Sequence, residues 1–213
     1  IQQKNLLKSG DEFPYGQLAE SEANECWNKA EADFQISKMQ QDVADFNTSN
    51  TLFKKGISVM PICFGISFTK TFMNQARSLV NVYTDGSVNI STAAVEMGQG
   101  VNTKMLQVAA KIFSISPGNI KVNSTNTYRI ANTSPTAASA AADLNGKATA
   151  LACEAILQRM KQVAAAELKT SVDDIKIKDG FVYSNESKTE LSWEKLAMLT
   201  HVNKISLSEL AHY

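Results

Sequence analysis

The sequence predicts an α+β fold in which helices are layered on a mixed, mostly antiparallel sheet, and three observations predict it. Two alternating apolar runs, residues 79–83 and 88–92, flank Thr84-Asp85-Gly86-Ser87. An Asp-Gly between such runs is the strongest short-range hairpin signal. A second pair of runs, Ile175-Lys176-Ile177 and Phe181-Val182-Tyr183, flanks Asp179-Gly180. Around both, apolar residues recur at three- and four-residue spacing, so helices are interleaved with hairpins rather than with single parallel strands.

Each element follows in chain order. Trp27, Ala30, Phe34, Ile36, Met39, Val43 and Phe46 predict one helix over 20–46, with Ser21 available to cap it. The polar run Asn47-Thr48-Ser49-Asn50 closes it. Over 56–68 the period changes to two, with Ile57, Val59, Ile62, Phe64, Ile66 and Phe68, and a strand is expected. After the first hairpin comes Val95-Glu96-Met97-Gly98-Gln99-Gly100, and then a helix over 101–113 with Met105, Val108, Ala109, Ile112 and Phe113 on one face. Ser116-Pro117-Gly118-Asn119 ends that unit, and 120–123 returns as a short strand. Ser134 followed by Pro135 reads as a helix start, cap then first turn. The following stretch holds twelve alanines between Thr136 and Ala166, and Asn145-Gly146 is expected to divide it into a short helix and a longer one over 147–168. Ser192 caps a last helix over 193–200.

Composition narrows the function classes. The 213 residues are 44% hydrophobic and 20% charged, enough for one sizeable core or two small ones. No apolar run reaches the roughly 18 to 20 residues of a membrane span and no secretory leader is visible, so a soluble, cytoplasmic protein without a membrane partner is expected. Twenty-one basic and twenty-one acidic residues cancel, which gives no electrostatic reason to expect nucleic acid. The sum hides an uneven distribution: residues 1–50 carry net −5, and 51–79 carry net +4 with no acidic residue. Cys26, Cys63 and Cys153 are far apart, and His201 and His212 stand alone, so no disulfide framework and no protein-ligated metal site are expected. Neither GxxxxGK[ST] nor GxGxxG occurs, which removes the common nucleotide-phosphate loops. The consecutive carboxylates Asp173-Asp174 do not have the spacing of a convergent acid–base pair.

Chemistry concentrates at two places. Gly98 and Gly100 bracket Gln99 at a strand-to-helix junction, where the helix N-terminus aims free N–H groups outward and Gln99 adds a side-chain amide. In Asn132-Thr133-Ser134-Pro135-Thr136-Ala137-Ala138-Ser139, small side chains leave backbone amides accessible to a bulky, anionic, oxygen-rich ligand. Read from spacing alone, each is equally a glycine-rich turn or an alanine packing face; together they point to a joint anion-binding crevice.

These two segments, in this order and about thirty residues apart, resemble two segments of the molybdopterin-binding region of the xanthine dehydrogenase and aldehyde oxidase family. The likeness is continuous from about Gly56 to Arg159, through Thr84-Asp85-Gly86, Gln107-Val108-Ala109 and Ser124-Thr125-Asn126-Thr127, and looser over 1–50 and 170–213. The resemblance implies a molybdenum cofactor-binding domain whose molybdenum–molybdopterin hydroxylates an aromatic heterocycle or an aldehyde with oxygen from water. It implies FAD and 2Fe-2S clusters in companion domains or subunits, the rest of the molybdenum subunit as a partner, and a dimeric holoenzyme. Carried over residue by residue, Met97, Gly98, Gln99 and Gly100 would contact the pterin, Ala137 and Ala138 would lie near the metal, and Ser139 would add hydrogen bonds. The family's catalytic glutamate and its FGGK-type glycine segment have no counterpart here. With Ile1 at the start and a helix-like polar run at Tyr213, the chain is expected to be a segment of a longer protein: 1–55 a helical portion of a preceding half, 56–213 the cofactor-binding domain, inactive by itself. The Ser-Pro-Thr-Ala-Ala-Ser form points to the purine-oxidising branch; the alternatives are an aldehyde-oxidising hydroxylase and a non-enzymatic module binding an anionic ligand or the cofactor.

Overall fold

The computed structural model describes residues 1–213, and the chain forms two compact units, Ile1–Phe64 and Gly65–Tyr213. The division falls nine residues after the expected 55/56 boundary, because the extended stretch beyond residue 55 belongs to the first unit.

In the first unit, α1 (Ala23–Phe34) and α2 (Ile36–Ser49) replace the single helix expected over 20–46. Gln35 adopts a left-handed conformation at φ 51°, which ends α1 and restarts the chain as α2. The expected Ser21 cap is displaced by one residue: Glu22 is the N-cap of α1 and makes no side-chain cap bond, while the Ser21 hydroxyl, one residue earlier, accepts from the Ala23 amide at 3.2 Å in a turn ahead of the helix. Neither helix buries a residue fully; only Leu6 and Ala19 are buried in this unit. The strand expected over 56–68 does not form. Across 56–66 no backbone N–H or C=O has a hydrogen-bond partner in the chain, because no neighbouring strand lies alongside to complete a ladder. Met60, Ile62 and Phe64 are left exposed there.

The second unit is α+β as expected. β1 (Arg77–Val82) and β2 (Val88–Thr92) form the Asp-Gly hairpin. β3 (Ile120–Val122) adds to β2 in parallel, and β7 (Ser208–His212) adds to β1 antiparallel, giving the order β3-β2-β1-β7. β7 occupies the stretch that looked helical at the C-terminal end. A separate antiparallel meander comprises β4 (Ile175–Lys178), β5 (Phe181–Ser184) and β6 (Ser187–Ser192). α3 (Val101–Phe113), α4 (Ala141–Leu168) and α5 (Trp193–Val202) complete the unit.

Its core joins Val80, Ile90, Phe113, Ile156, Met160, Trp193 and Leu196, all buried. Trp193 stacks obliquely on Phe113 at 5.0 Å between ring centroids, and its Nε1 donates to the Gly86 carbonyl at 2.7 Å. That bond ties α5 to the first hairpin. α4 runs unbroken through Asn145-Gly146, against expectation. Gly146 is buried where α4 meets α3, and a Cβ built there would stand 3.6 Å from Met105 Cε, an ordinary van der Waals contact, so it is the packing of α4 on α3 that carries the helix through the glycine despite its low propensity. The second helix start is also corrected: α4 begins at Ala141, not at Ser134-Pro135. The Ser134 hydroxyl instead donates to the Met73 carbonyl, which spends it on a loop contact.

Candidate functional site

Two loops of the second unit carry the residues singled out above. The first, Val95 to Gly100, links β2 to α3 and closes on itself through two side chains. Glu96 Oε1 accepts from the amides of Gly98 and Gly100, each at 2.9 Å, and Oε2 accepts from Asn102 at 3.0 Å. The Asn102 and Gly100 bonds, in that order, hold the Glu96 carboxyl below its ordinary range. Gln99 Oε1 accepts from the Met97 amide at 2.6 Å, and its Nε2 donates to the Val95 carbonyl at 2.8 Å. Gly98 and Gly100 sit at φ 100° and 76°, in the left-handed region where a side chain would strain the backbone even though the space around both is open.

This arrangement departs from the expected free helix N-terminus. Gly100 is the N-cap residue and has no side chain to cap with, so Glu96 reaches back over the turn and takes the Asn102 amide of the first helical turn. A carboxylate four residues ahead of a glycine cap was the available sequence signal for this, and spacing reasoning centred on Gln99 passed over it.

The second loop, Asn132 to Ser139, precedes α4. It is fastened to residues 67–75: Ser134 N donates to Gln75 O at 3.4 Å, and Ser67 N donates to Ala138 O at 2.9 Å. Asn132, Ala138 and Ser139 adopt φ values of 54°, 51° and 53°, unusual for residues with a Cβ and held by these contacts. Thr136 joins the two loops. Its Oγ1 accepts from the Val95 amide at 2.9 Å and lies 3.5 Å from the Ala93 carbonyl, to which it donates. The small size of Thr136 is legible in the motif; its bridging role has no signal in the spacing.

The structure therefore brings the two predicted segments onto one surface. Met97, Gly98, Gln99, Ala137 and Ser139 are exposed, and Gly100 and Ala138 are half-buried. The amides of Ala137, Ala138 and Ser139 and the Ser139 hydroxyl find no partner within the chain. One of the two Gln99 Nε2 hydrogens also has no acceptor. This donor set beside methyl-sized side chains fits an oxygen-rich pterin phosphate, whereas the α3 N-terminus, neutralised by Glu96, does not add to it. No cluster of His, Cys, Asp or Glu could hold a metal ion through protein side chains. A groove in the first unit, lined among others by Leu6, Trp27, Ala30 and Val59, contains none of the motif residues.

No helix is long and apolar enough to cross a membrane. Over residues 29–213 the sequence matches the family described as "Molybdopterin cofactor-binding domain". It is 38% identical to mouse (Mus musculus) xanthine dehydrogenase/oxidase over the whole chain, and 43% identical to xanthine dehydrogenase of rice (Oryza sativa subsp. japonica) over 78% of the chain. It spans only 14% and 12% of the length of these curated relatives. Among solved structures, quinoline 2-oxidoreductase from Pseudomonas putida 86 superposes with a TM-score of 0.72 at 16% identity, over 96% of this chain and 28% of that one. Aldehyde oxidoreductase from Desulfovibrio gigas does so with 0.61 at 15% identity, over 100% and 20%. These last two establish the shared fold. With the family match, the high identity and the two motif loops on one surface, the chain belongs to the molybdopterin cofactor-binding domain family and is the molybdopterin-binding region of a xanthine dehydrogenase-like protein.

Proposed function

We propose that this chain is the part of a molybdenum hydroxylase large subunit that grips molybdopterin between the loops at 95–100 and 132–139, in an enzyme that oxidises a purine or related heterocycle. The observation that carries the reading is the Thr136 bridge, which places Gln99 and the free amides of 137–139 on one surface. The Gln99 amide and the backbone N–H groups of Ala137, Ala138 and Ser139 would hold and orient the cofactor; Met97, Gly98 and Gly100 shape the first loop, and the Ser139 hydroxyl adds a donor. When bound, the cofactor supplies the two-electron redox chemistry and water the oxygen. The purine assignment is supported by the named xanthine dehydrogenases at 37–43% identity. FAD and 2Fe-2S clusters in companion domains, a dimeric cytoplasmic holoenzyme, and a catalytic glutamate outside these residues belong to the same reading, as does a division of labour between an N-terminal helical portion and the cofactor-binding portion.

Metal analysis and a substrate panel on the intact gene product test it. Stoichiometric molybdenum with turnover of xanthine or hypoxanthine supports it; turnover of aldehydes alone moves the protein to the aldehyde-oxidising branch, and absence of molybdenum rejects it. The 213-residue chain by itself is expected to turn over no substrate, and xanthine oxidation by that chain would contradict the assignment of the general base elsewhere.

A further inference from the structure

Glu96 contacts neither free amides of the second loop nor any cation, yet it accepts three backbone hydrogen bonds at 2.9 to 3.0 Å from Gly98, Gly100 and Asn102. Two of those donors flank Gln99 directly. Gln99 in turn bonds the amide and carbonyl of Met97 and Val95, the residues flanking Glu96. The two side chains thus form interlocking loops, each closed over the other's backbone neighbours. The backbone has no stiffness of its own here, since glycines at φ 100° and 76° have access to more conformations than any other residue. Without a carboxylate at 96, three amides lose their acceptor and the turn loses the bonds that select one geometry.

Resting on the cofactor-gripping reading above, we propose that Glu96 is a positioning residue: its carboxylate fixes the turn that presents the Gln99 amide, so that the loop meets the cofactor already ordered. The benefit is preorganisation. Ordering a two-glycine loop at the moment of binding would subtract from retention of the cofactor, and Glu96 removes that cost in advance.

The distribution of the three bonds gives a residue-resolved test. Gly98 and Gly100 share Oε1, and Asn102 alone uses Oε2. In Glu96→Gln one oxygen remains as acceptor and an NH2 group faces the third amide. Hydrogen exchange measured by NMR on the apo full chain should show Glu96→Ala exchanging at least fivefold faster at Gly98, Gly100 and Asn102 while α4 amides keep wild-type protection. Glu96→Gln should retain protection at Gly98 and Gly100 and lose it at Asn102. Unchanged exchange at all three amides in Glu96→Ala overturns the proposal, as does equal loss across α4, which would make the effect global. In parallel, molybdopterin released from the intact gene product is quantified as its fluorescent oxidised pterin. A wild-type content in Glu96→Ala alongside faster loop exchange overturns the positioning role and leaves the family assignment intact. Absence of pterin from the wild-type protein itself rejects the underlying reading, whatever the exchange data show.

Discussion

At the scale of single residues, environment separates groups that the sequence presents as equivalent. Cys153 is fully buried against the core, and burial, followed by the charge of Glu154, pushes its thiol up to about 12; Cys26 and Cys63 are exposed. Native chain treated with iodoacetamide at pH 8 should therefore gain two adducts by mass spectrometry, with the third appearing only on unfolding. Three adducts on native protein would contradict the packing of α4. Three exposed carboxyls sit below their ordinary values: Asp85 through the Ser87 hydroxyl and amide, Glu96 through the amides of Asn102 and Gly100, and Glu186 through Lys176. A lowered folded-state value means that the stabilisation is complete above the unfolded value, 3.8 for Asp85 and 4.5 for the two Glu, and is lost as pH falls through the folded value. Thermal stability should be flat from neutrality to about pH 5 and decline below it, and Glu96→Ala should flatten that decline. An undiminished slope in the variant would mean that the loop bonds do not persist in solution.

At the scale of elements, legibility depended on whether the deciding interaction was local. Both Asp-Gly hairpins, α3 and the Ser192-capped α5 follow from turn chemistry, periodicity and caps within a few residues, and all were readable. β7 was not, because one of its inward positions is Glu209, whose charge breaks the apolar alternation. That carboxylate is satisfied by Arg159 of α4, with Nη1 2.7 Å from Oε2, while Nε and Nη2 donate to the carbonyls of Ser206 and Ser208 at 2.9 and 3.0 Å. The strand itself is set by its ladder with β1, and a residue fifty positions away supplies the charge that lets Glu209 sit in it. Arg159→Ala should destabilise the second unit by about 1–2 kcal/mol, since the charge-assisted bonds are partly solvated. Thermal denaturation checks this, and β7 amides should lose exchange protection first. Residues 56–66 fail in the opposite sense: their alternation is strand-like, but a strand needs a neighbour, and none is present in the chain. An unpaired, exposed apolar edge is an aggregation template. Ile62→Lys should therefore shift the 213-residue chain toward monomer in analytical ultracentrifugation, and an unchanged sedimentation profile would show that this edge is not sticky.

At the scale of the whole molecule, neutral charge and scattered cysteines gave no sign of a cofactor-binding domain, and the structure explains why. The surface assembled here consists of backbone amides, glycines, alanines and one glutamine, groups that leave no trace in charge or ligand counts. The two motifs were visible in the sequence, but their convergence was not: it rests on Thr136 reaching the Val95 amide across forty-one residues, and on a second loop that precedes its helix rather than starting it. In the proposed reading these two loops act together on one cofactor. That joint action is tested most directly by measuring the molybdopterin content of the intact gene product as wild type, Gln99→Ala, Ala138→Leu and the exposed control Lys29→Ala. Gln99→Ala removes about 1 kcal/mol of hydrogen bonding and should weaken retention roughly fivefold, and Ala138→Leu should reduce it further by filling the surface between the loops, with Lys29→Ala unchanged. Wild-type content in both loop variants, with folding intact, would contradict that reading.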